Sequence, residues 1–400
     1  MPRRTQAQVI DAENERQALV FFQSTLATLP EPRRLQGIRY PLRSVVVIAL
    51  MAMICGCDDA EAMEVWGKAN AEWLAGVLEL PHGPPTQDVF LAVFAALNPE
   101  AFSAVFRAWA QLLTLRLKPA DKHIAVDGKT SRHSFDTAAG RPAIHTVSAY
   151  LSAAGLVLGQ QKTGEKSNEI VAIPELLRVL DLHGADVTID AMGCQTDIAE
   201  TIHTGGGAYL LGAKDNQPTL RQDLETTFQE AADSRRRACD EAPRPAVEVF
   251  TEIDKGHGRV EQRTVRLCRD LSWLTTADRW PGLSCVVQVT RERTVLATQN
   301  TSVETAYYIG SQAQPKVERL AALIRRHWGI ENNLHWVLDL AFAEDAARHR
   351  ARHTAQNLAT LRHFALNIFK QDATRKLGVA NSRRRAGWDR DYLLHLLTLA

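Results

Sequence analysis

Two patterns of apolar residues divide the chain, and the change between them falls near residue 120. Between residues 16 and 116 apolar residues recur at helical spacing, in runs at 19–22, 45–54, 63–66, 73–78 and 90–97. Prolines such as Pro30, Pro41 and Pro81 separate these runs. The pattern predicts an all-α N-terminal domain at residues 1–117, with Arg33 and Arg34 in its first loop.

Beyond residue 120 the apolar runs become short, as is typical of β-strands. Strands are predicted at 124–127, 146–152, 156–163, 186–190 and 208–213. Helices are predicted between the later strands, one beginning at Ser167 as N-cap and one at 196–203. The order βββαβαβ is that of an α/β, ribonuclease-H-like mixed sheet. In such a core the ends of the first and fourth strands lie side by side.

The pattern changes again after residue 218. The sequence predicts a helix at 219–231, followed by candidate strands at 247–253, 259–268, 285–292 and 305–309. Helices are predicted after these strands, at 316–342 and 354–369. We therefore expect a catalytic core formed by residues 118–218 and 312–370. Residues 219–311 are expected to form a helical and β-rich insertion, and residues 371–400 a C-terminal tail.

Composition indicates a folded protein without a global preference for polyanions. The chain has 400 residues, 45% of them hydrophobic, and a formal net charge of +1. Its positive charge is nevertheless clustered, at Arg3–Arg4, Arg33–Arg34, 235–237, 325–326 and 383–385. Such patches attract phosphates, although solvated surface arginines explain any single cluster about equally well.

Cysteine usage and hydropathy indicate a cytoplasmic protein. None of the 6 cysteines forms a CxxC pair, which argues against a zinc ribbon and a disulfide scaffold. The most hydrophobic stretch, residues 44–57, is shorter than the roughly 20 residues of a membrane span and is followed at once by acids. A buried helix is expected there, and no membrane partner.

Three carboxylates occupy positions suited to metal ligands. Asp127 and Asp190 each close an apolar strand, and Glu331 lies in a basic, aromatic helix. Three acids can hold two Mg²⁺ (or Mn²⁺) ions against a nucleic-acid phosphate, since waters and substrate oxygens complete the coordination. The alternative reading of each strand-terminal Asp is a turn residue or helix cap. Asp136 and Glu169 are rival acids, although Glu169 is explained by a helix N-terminus.

The predicted helix around Glu331 has a polar and an apolar end. His327, Glu331 and His335 fall on one stripe with Leu338 and Phe342. Because no HExxH spacing exists, the two histidines are interpreted as phosphate contacts or supports for the ligands rather than as zinc ligands. Further candidate phosphate contacts, each with surface solvation as the alternative, are Lys129, Lys162, Lys166, Lys214 and Arg326.

Several motifs occur together in a distinctive order. They are Val126-Asp127-Gly128-Lys129, Lys166-Ser167-Asn168-Glu169, Asp190-Ala191-Met192-Gly193-Cys194-Gln195, Lys214-Asp215-Asn216-Gln217, Arg326-His327-Trp328-Gly329-Ile330-Glu331-Asn332, His335-Trp336-x-x-Asp339 and Phe342-x-Glu344-Asp345. Over residues 18–370 the chain resembles the ISAs-type insertion-sequence transposases, which include the H-repeat-associated proteins. The helical region also resembles that family's N-terminal associated domain.

The resemblance implies a DDE transposase with Asp127, Asp190 and Glu331 as catalytic acids, Mg²⁺ as cofactor and the element's terminal inverted repeats as substrate. Related enzymes carry Tyr and Arg before the Glu and Lys after it, whereas the corresponding turns here hold Ile324, His327 and Leu338. A homodimer on DNA is expected because two ends must be paired. Two alternatives stay open: a catalytically inactive or regulatory DNA-binding relic, and a ribonuclease-H-like nuclease without strand transfer.

Overall fold

The computed structural model describes residues 24–34, 38–117, 121–135, 140, 142–164, 169–232, 245–256 and 258–399. Predictions for residues 1–23, Asp136, Lys166, Ser167 and the arginines at 235–237 lie outside the described residues. The N-terminal part is helical, with α1 Leu42–Ile54, α2 Ala60–Ala69, α3 Ala71–Val77, α4 Gln87–Ala96 and α5 Pro99–Leu117.

Helix α1 is buried on every side, as its sequence requires. It carries apolar residues all round, and a helix of that kind has no face suited to water. The predicted buried helix is confirmed. Within the described residues no single helix has both the length and the apolar character to cross a membrane. One pair of helices, bent by 91° at their junction, meets both conditions only when the two are taken together.

A mixed sheet of nine strands follows. Its strands are β1 His123–Ser131, β2 Ile144–Leu151, β3 Leu156–Lys162, β4 Asp186–Ile189, β5 Ala208–Ala213, β6 Val247–Gly256, β7 Arg259–Cys268, β8 Cys285–Val295 and β9 Thr301–Gly310. Their order in the sheet is β3-β2-β1-β4-β5-β9-β8-β7-β6. The first five strands form the predicted ribonuclease-H-like core, and the insertion continues the same sheet because β9 pairs antiparallel with β5.

Strand β1 is longer than the sequence predicts. It pairs with β4 in parallel only as far as Val126 and Ile189, but its antiparallel pairing with β2 continues to Ser131. Backbone hydrogen bonds to β2 therefore maintain the strand after its apolar run has ended. Asp127 lies within β1, at the point where the parallel neighbour stops.

Helices cover the sheet and lead to the C-terminus. They are α6 Glu169–Arg178, α7 Thr196–Thr204, α8 Pro218–Ala232, α9 Val317–His327, α10 Trp336–Phe342, α11 Thr354–Gln371, α12 Val379–Trp388 and α13 Arg390–Thr398. The helix predicted at 316–342 is interrupted, because a turn at Trp328 and a π-helical turn at Glu331–His335 separate α9 from α10.

The segment predicted as a C-terminal tail contains α12 and α13, which pack on the rest of the protein. The Arg383 side chain is buried, donates hydrogen bonds to the carbonyl groups of Met53 and Ala341, and pairs with Asp58. Its guanidinium also lies 4.2 Å from the centroid of the Phe342 ring. These contacts fix the C-terminal helices to α1 and α10, so the segment is part of the core.

Candidate active site

The sheet brings the first two predicted acids to the same edge. Val126 and Ile189 are register partners in the parallel β1–β4 pair. The residues that follow them, Asp127 and Asp190, therefore leave the sheet side by side. Both line a cavity of about 440 Å³, and Glu331 lines it as well.

Two of the acids that line this cavity, Asp127 and Glu331, form a close group with the buried His335. One ligand atom each from Asp127, Glu331 and His335 lies within 4.8 Å of the others. His335 Nδ1 is 3.1 Å from Glu331 Oε2 and 3.5 Å from Asp127 Oδ2. His335 was predicted as a DNA contact, but its ring is buried between the two carboxylates.

Asp190 lines the cavity without joining that close group. Its Oδ1 accepts a hydrogen bond of 3.1 Å from the backbone N–H of Met192, so the side chain caps the short helical turn Ala191–Gly193. The capping role that the sequence left open is thus present. It uses one carboxylate oxygen, and the residue remains exposed at the cavity wall.

A widened helical turn presents Glu331 and His335. The Trp336 N–H bonds to the Glu331 carbonyl, five residues back, as in a π-helix. A π turn adds one residue to the regular helical register, so the continuous stripe from His327 to Phe342 is broken. Turns of this type occur often at functional sites. Here the turn keeps the Glu331 side chain 58% exposed while His335 stays 5% exposed beneath it.

Electrostatics favour a cation at this place. Burial, together with repulsion from Asp190, Glu169 and Glu331, raises the pKa of the Asp127 carboxyl to about 7. Burial lowers the pKa of His335, although its hydrogen bond to Glu331 opposes that change. Without a counter-ion, then, the charged form of the Asp127 carboxyl is disfavoured, and a bound cation would relieve this.

A second acid–histidine pair lies beside Gly128. Glu169 Oε1 is 2.6 Å from His145 Nε2, and His145 Nδ1 is 2.7 Å from Thr130 Oγ1. A Cβ at residue 128 would clash with both partners of the pair. This explains the glycine after Asp127. Glu169, which the sequence analysis named as a rival acid and also explained by a helix N-terminus, thus lies close to the acids. Nothing in the sequence pointed to its partner His145.

Two of the predicted phosphate contacts, Lys129 and Arg326, form ion pairs with acids of the same chain. Lys129 Nζ donates to Asp339 at 2.6 Å and Asp345 at 3.2 Å and lies 3.7 Å from Glu344. Arg326 pairs with Asp121. The placement of Lys129 does not support a DNA-contacting role, whereas Arg326 is exposed and its role stays a prediction.

Other predicted contacts divide between internal and exposed positions. The Thr188 hydroxyl lies 3.0 Å from His327 Nδ1, and burial lowers the pKa of that imidazole. Arg33 pairs with Glu31 at 2.6 Å and donates to the Tyr40 carbonyl at 2.8 Å. Arg34 and Lys214 are exposed, and Lys214 lines the cavity with the three acids.

Two family models match the chain in succession. Residues 23–110 match the DDE_Tnp_1-associated model, and residues 118–368 match the model described as Transposase DDE domain.

Curated relatives extend over nearly the whole chain. YbfL of Escherichia coli strain K12 is 35% identical over 375 residues, which cover 93% of this chain and 96% of the relative. YhhI of the same strain, provisionally named an H repeat-associated transposase, is 34% identical. Its alignment also covers 93% of this chain and 96% of the relative. A cryo-EM structure of a piggyBac transposase synaptic complex with hairpin DNA aligns at a TM-score of 0.42 with 9% identity, covering 96% of this chain and 80% of that chain.

Proposed function

The chain belongs to the DDE transposases, a family of DNA-transposing enzymes, and on that premise we propose a specific reaction for it. The protein cuts DNA at the terminal inverted repeats of an insertion sequence. It then joins the cut 3′ end to target DNA. The observation that carries the proposal is that Asp127, Asp190 and Glu331, distant in sequence, line one cavity.

The donor set fits Mg²⁺ or Mn²⁺. Hard divalent cations prefer carboxylate oxygens and keep several waters, so three acids suffice for two ions. Asp127 would be shared between the two ions, with Asp190 completing one site and Glu331 the other. The raised pKa of Asp127 supports this assignment, because part of the shift comes from the negative charges around it. Two bound ions would activate the attacking oxygen and stabilise the leaving one.

The protein's own groups hold the acids in place before DNA binds. The His335 imidazole packs beneath the site and contacts both Glu331 and Asp127, which limits the rotation of their carboxylates. The Met192 N–H fixes one oxygen of Asp190. Lys214, exposed at the cavity wall, is placed to receive a phosphate. The site is therefore largely ordered in advance.

The substrate and assembly follow from this reaction. We propose that the partners are double-stranded DNA, as element ends and as target, and a second copy of the chain, because two ends must be brought together. The protein would act in the bacterial cytosol on nucleoid DNA. We retain residues 1–117 as a DNA-contacting domain, 118–218 with 312–370 as the catalytic core and 219–311 as the insertion. The division near residue 117 is supported by the two family matches.

The reaction can be tested on labelled duplexes that contain the DNA flanking the gene. We expect nicking in Mg²⁺, none in EDTA, and joining of the new 3′ end to an added plasmid. Binding of the ends without nicking by the parent protein would favour the regulatory relic. Nicking without joining would instead favour a nuclease.

Metal binding should also be visible without any DNA. We expect Mg²⁺ to raise the melting temperature of the parent protein, because a ligand at 100 times its Kd adds about 2.7 kcal/mol to the stability of the folded state. The shift should be absent in Asp127→Asn and should persist in Asp197→Asn, which removes an exposed acid of α7. Equal shifts in the two variants would mean that the ion binds elsewhere.

A further inference from the structure

A second cavity, of about 490 Å³, has a strongly basic lining. It lies between the ends of β2 and β3 and the segment before α11. We refer to it as the basic groove, and its cationic or titratable residues are Lys162, His349, Arg350, Arg352, His353 and His145. None of the described residues lining it is an aspartate or a glutamate. Such a lining attracts an anion and offers no competing charge.

Lys162, Arg350 and Arg352 of the basic groove differ from the cations at the active site, because they pair with no acid among the described residues. Lys129 is held in a largely buried ion pair, and Arg326 is held in an ion pair at the surface. Across the part of the chain that the structure describes, no ion pair includes Lys162, Arg350 or Arg352. Arg350 and Arg352 are also exposed, and the Arg350 guanidinium lies 4.9 Å from the centroid of the Phe135 ring. Like charges gathered without a counter-charge repel one another until an anion binds.

The basic groove adjoins the active site through the β1–β2 pair. His145 lines the groove, and the Nε2 of the same ring contacts Glu169 beside Gly128. Gly128 directly follows Asp127. A polyanion bound at the acids can thus reach the groove along one edge of the sheet. A free phosphate would not need this continuity, whereas a DNA strand would.

We propose that the basic groove binds the phosphate backbone of DNA whose reacting phosphate lies at Asp127, Asp190 and Glu331. This rests on the proposed function, since it takes the substrate to be DNA. Lys162, Arg350 and Arg352 supply the charge, and two of them are arginines, whose planar guanidinium can bind phosphate through two hydrogen bonds. The element end and the target present the same phosphate chemistry to the groove.

The test is the salt dependence of DNA binding by Lys162→Gln/Arg350→Gln/Arg352→Gln. Each phosphate contact contributes about 0.9 to the slope of log K against log salt, so the triple variant should have a slope smaller by about 2 to 3. A control that removes the same charge from exposed positions of the insertion, Lys255→Gln/Arg259→Gln/Arg279→Gln, should change the slope by less than about 1. The charge-retaining variant Lys162→Arg/Arg350→Lys/Arg352→Lys should restore most of the parent's slope.

Two duplexes distinguish the two sources of backbone. One carries the DNA flanking the gene and the other is unrelated in sequence. If the triple variant has a smaller slope only on the flanking duplex, the groove binds the element end. If the slope is smaller only on the unrelated duplex, the groove binds the target. A smaller slope on both duplexes means that the groove binds either backbone. An unchanged slope for both duplexes overturns the proposal. If the parent protein nicks the flanking duplex while the triple variant's slope is unchanged, the groove is excluded and the proposed function stands.

Discussion

Asp127→Asn is expected to abolish metal-dependent nicking and, in the absence of metal, to make the protein more stable. Loss of the shared ligand should lower the nicking rate by about 10³-fold or more, equivalent to about 4 kcal/mol in the barrier. The stability gain follows from the raised pKa of the Asp127 carboxyl, for which burial is the main cause and neighbouring acids a further one. The ionised form is therefore disfavoured in the folded state.

The stability gained by Asp127→Asn should depend on pH. The folded pKa of about 7 exceeds the ordinary value of 3.8, so the ionised carboxylate destabilises the fold fully above pH 7 and not at all below about pH 4. We expect Asp127→Asn to exceed the parent by about 1–3 kcal/mol at pH 8 in EDTA, with the difference vanishing near pH 4. Urea unfolding at the two pH values measures this.

Loss of nicking together with a gain in stability distinguishes a catalytic role of Asp127 from a structural one. An inactive variant that is also less stable than the parent at pH 8 would contradict it, because nicking could then have been lost through misfolding. Asp197→Asn removes an exposed acid of α7 and should leave both nicking and stability unchanged. Retention of DNA binding by Asp127→Asn would show that substrate still reaches the site.

The convergence of Asp127 and Asp190 could be predicted because it depends on backbone topology. Two short apolar runs, each ended by an acid, become parallel neighbours once the strand order is known. Sheet order follows from local pattern and connection rules. The buried helix α1 could be predicted for a similar reason, since an apolar surface all round has only one stable environment.

The partners of charged side chains could not be predicted in this way. Lys129 and its acids lie over 200 residues apart, and a lysine beside a catalytic acid has the same sequence signal whether it binds phosphate or a carboxylate. The proximity of His335 to Asp127 depends on the π turn, which adds one residue to the register and has no sequence signature that we recognised. The C-terminal helices depend likewise on tertiary contacts of Arg383.

Lys129→Ala is expected to destabilise the protein by about 3–5 kcal/mol, as is typical when one partner of a buried ion pair is removed. The Lys129 ammonium is 10% exposed and is the nearest cation to Asp339 and Asp345, while Glu344 is 4% exposed. Burial raises the pKa of Glu344, and the charges of Arg362 and Lys129 oppose that rise. Without Lys129, Arg362 at 3.6 Å is the one cation among the described residues that still pairs with Glu344.

Lys214→Ala is the control for Lys129→Ala, because it removes the same side chain from an exposed position. Lys214 is exposed, so its removal should change the free energy of unfolding by no more than about 0.5 kcal/mol. Adding Asp339→Asn to Lys129→Ala should recover part of the lost stability, because the carboxylate that lies 2.6 Å from the Lys129 ammonium is then neutral, while Glu344 keeps its pair with Arg362. If Lys129 served DNA instead, Lys129→Ala would keep its stability and reduce the salt slope of DNA binding by about 0.9. Lys129 is largely buried and contacts one buried and two half-buried acids, which makes the loss of stability the expected result. Urea unfolding of the three variants decides between the two outcomes.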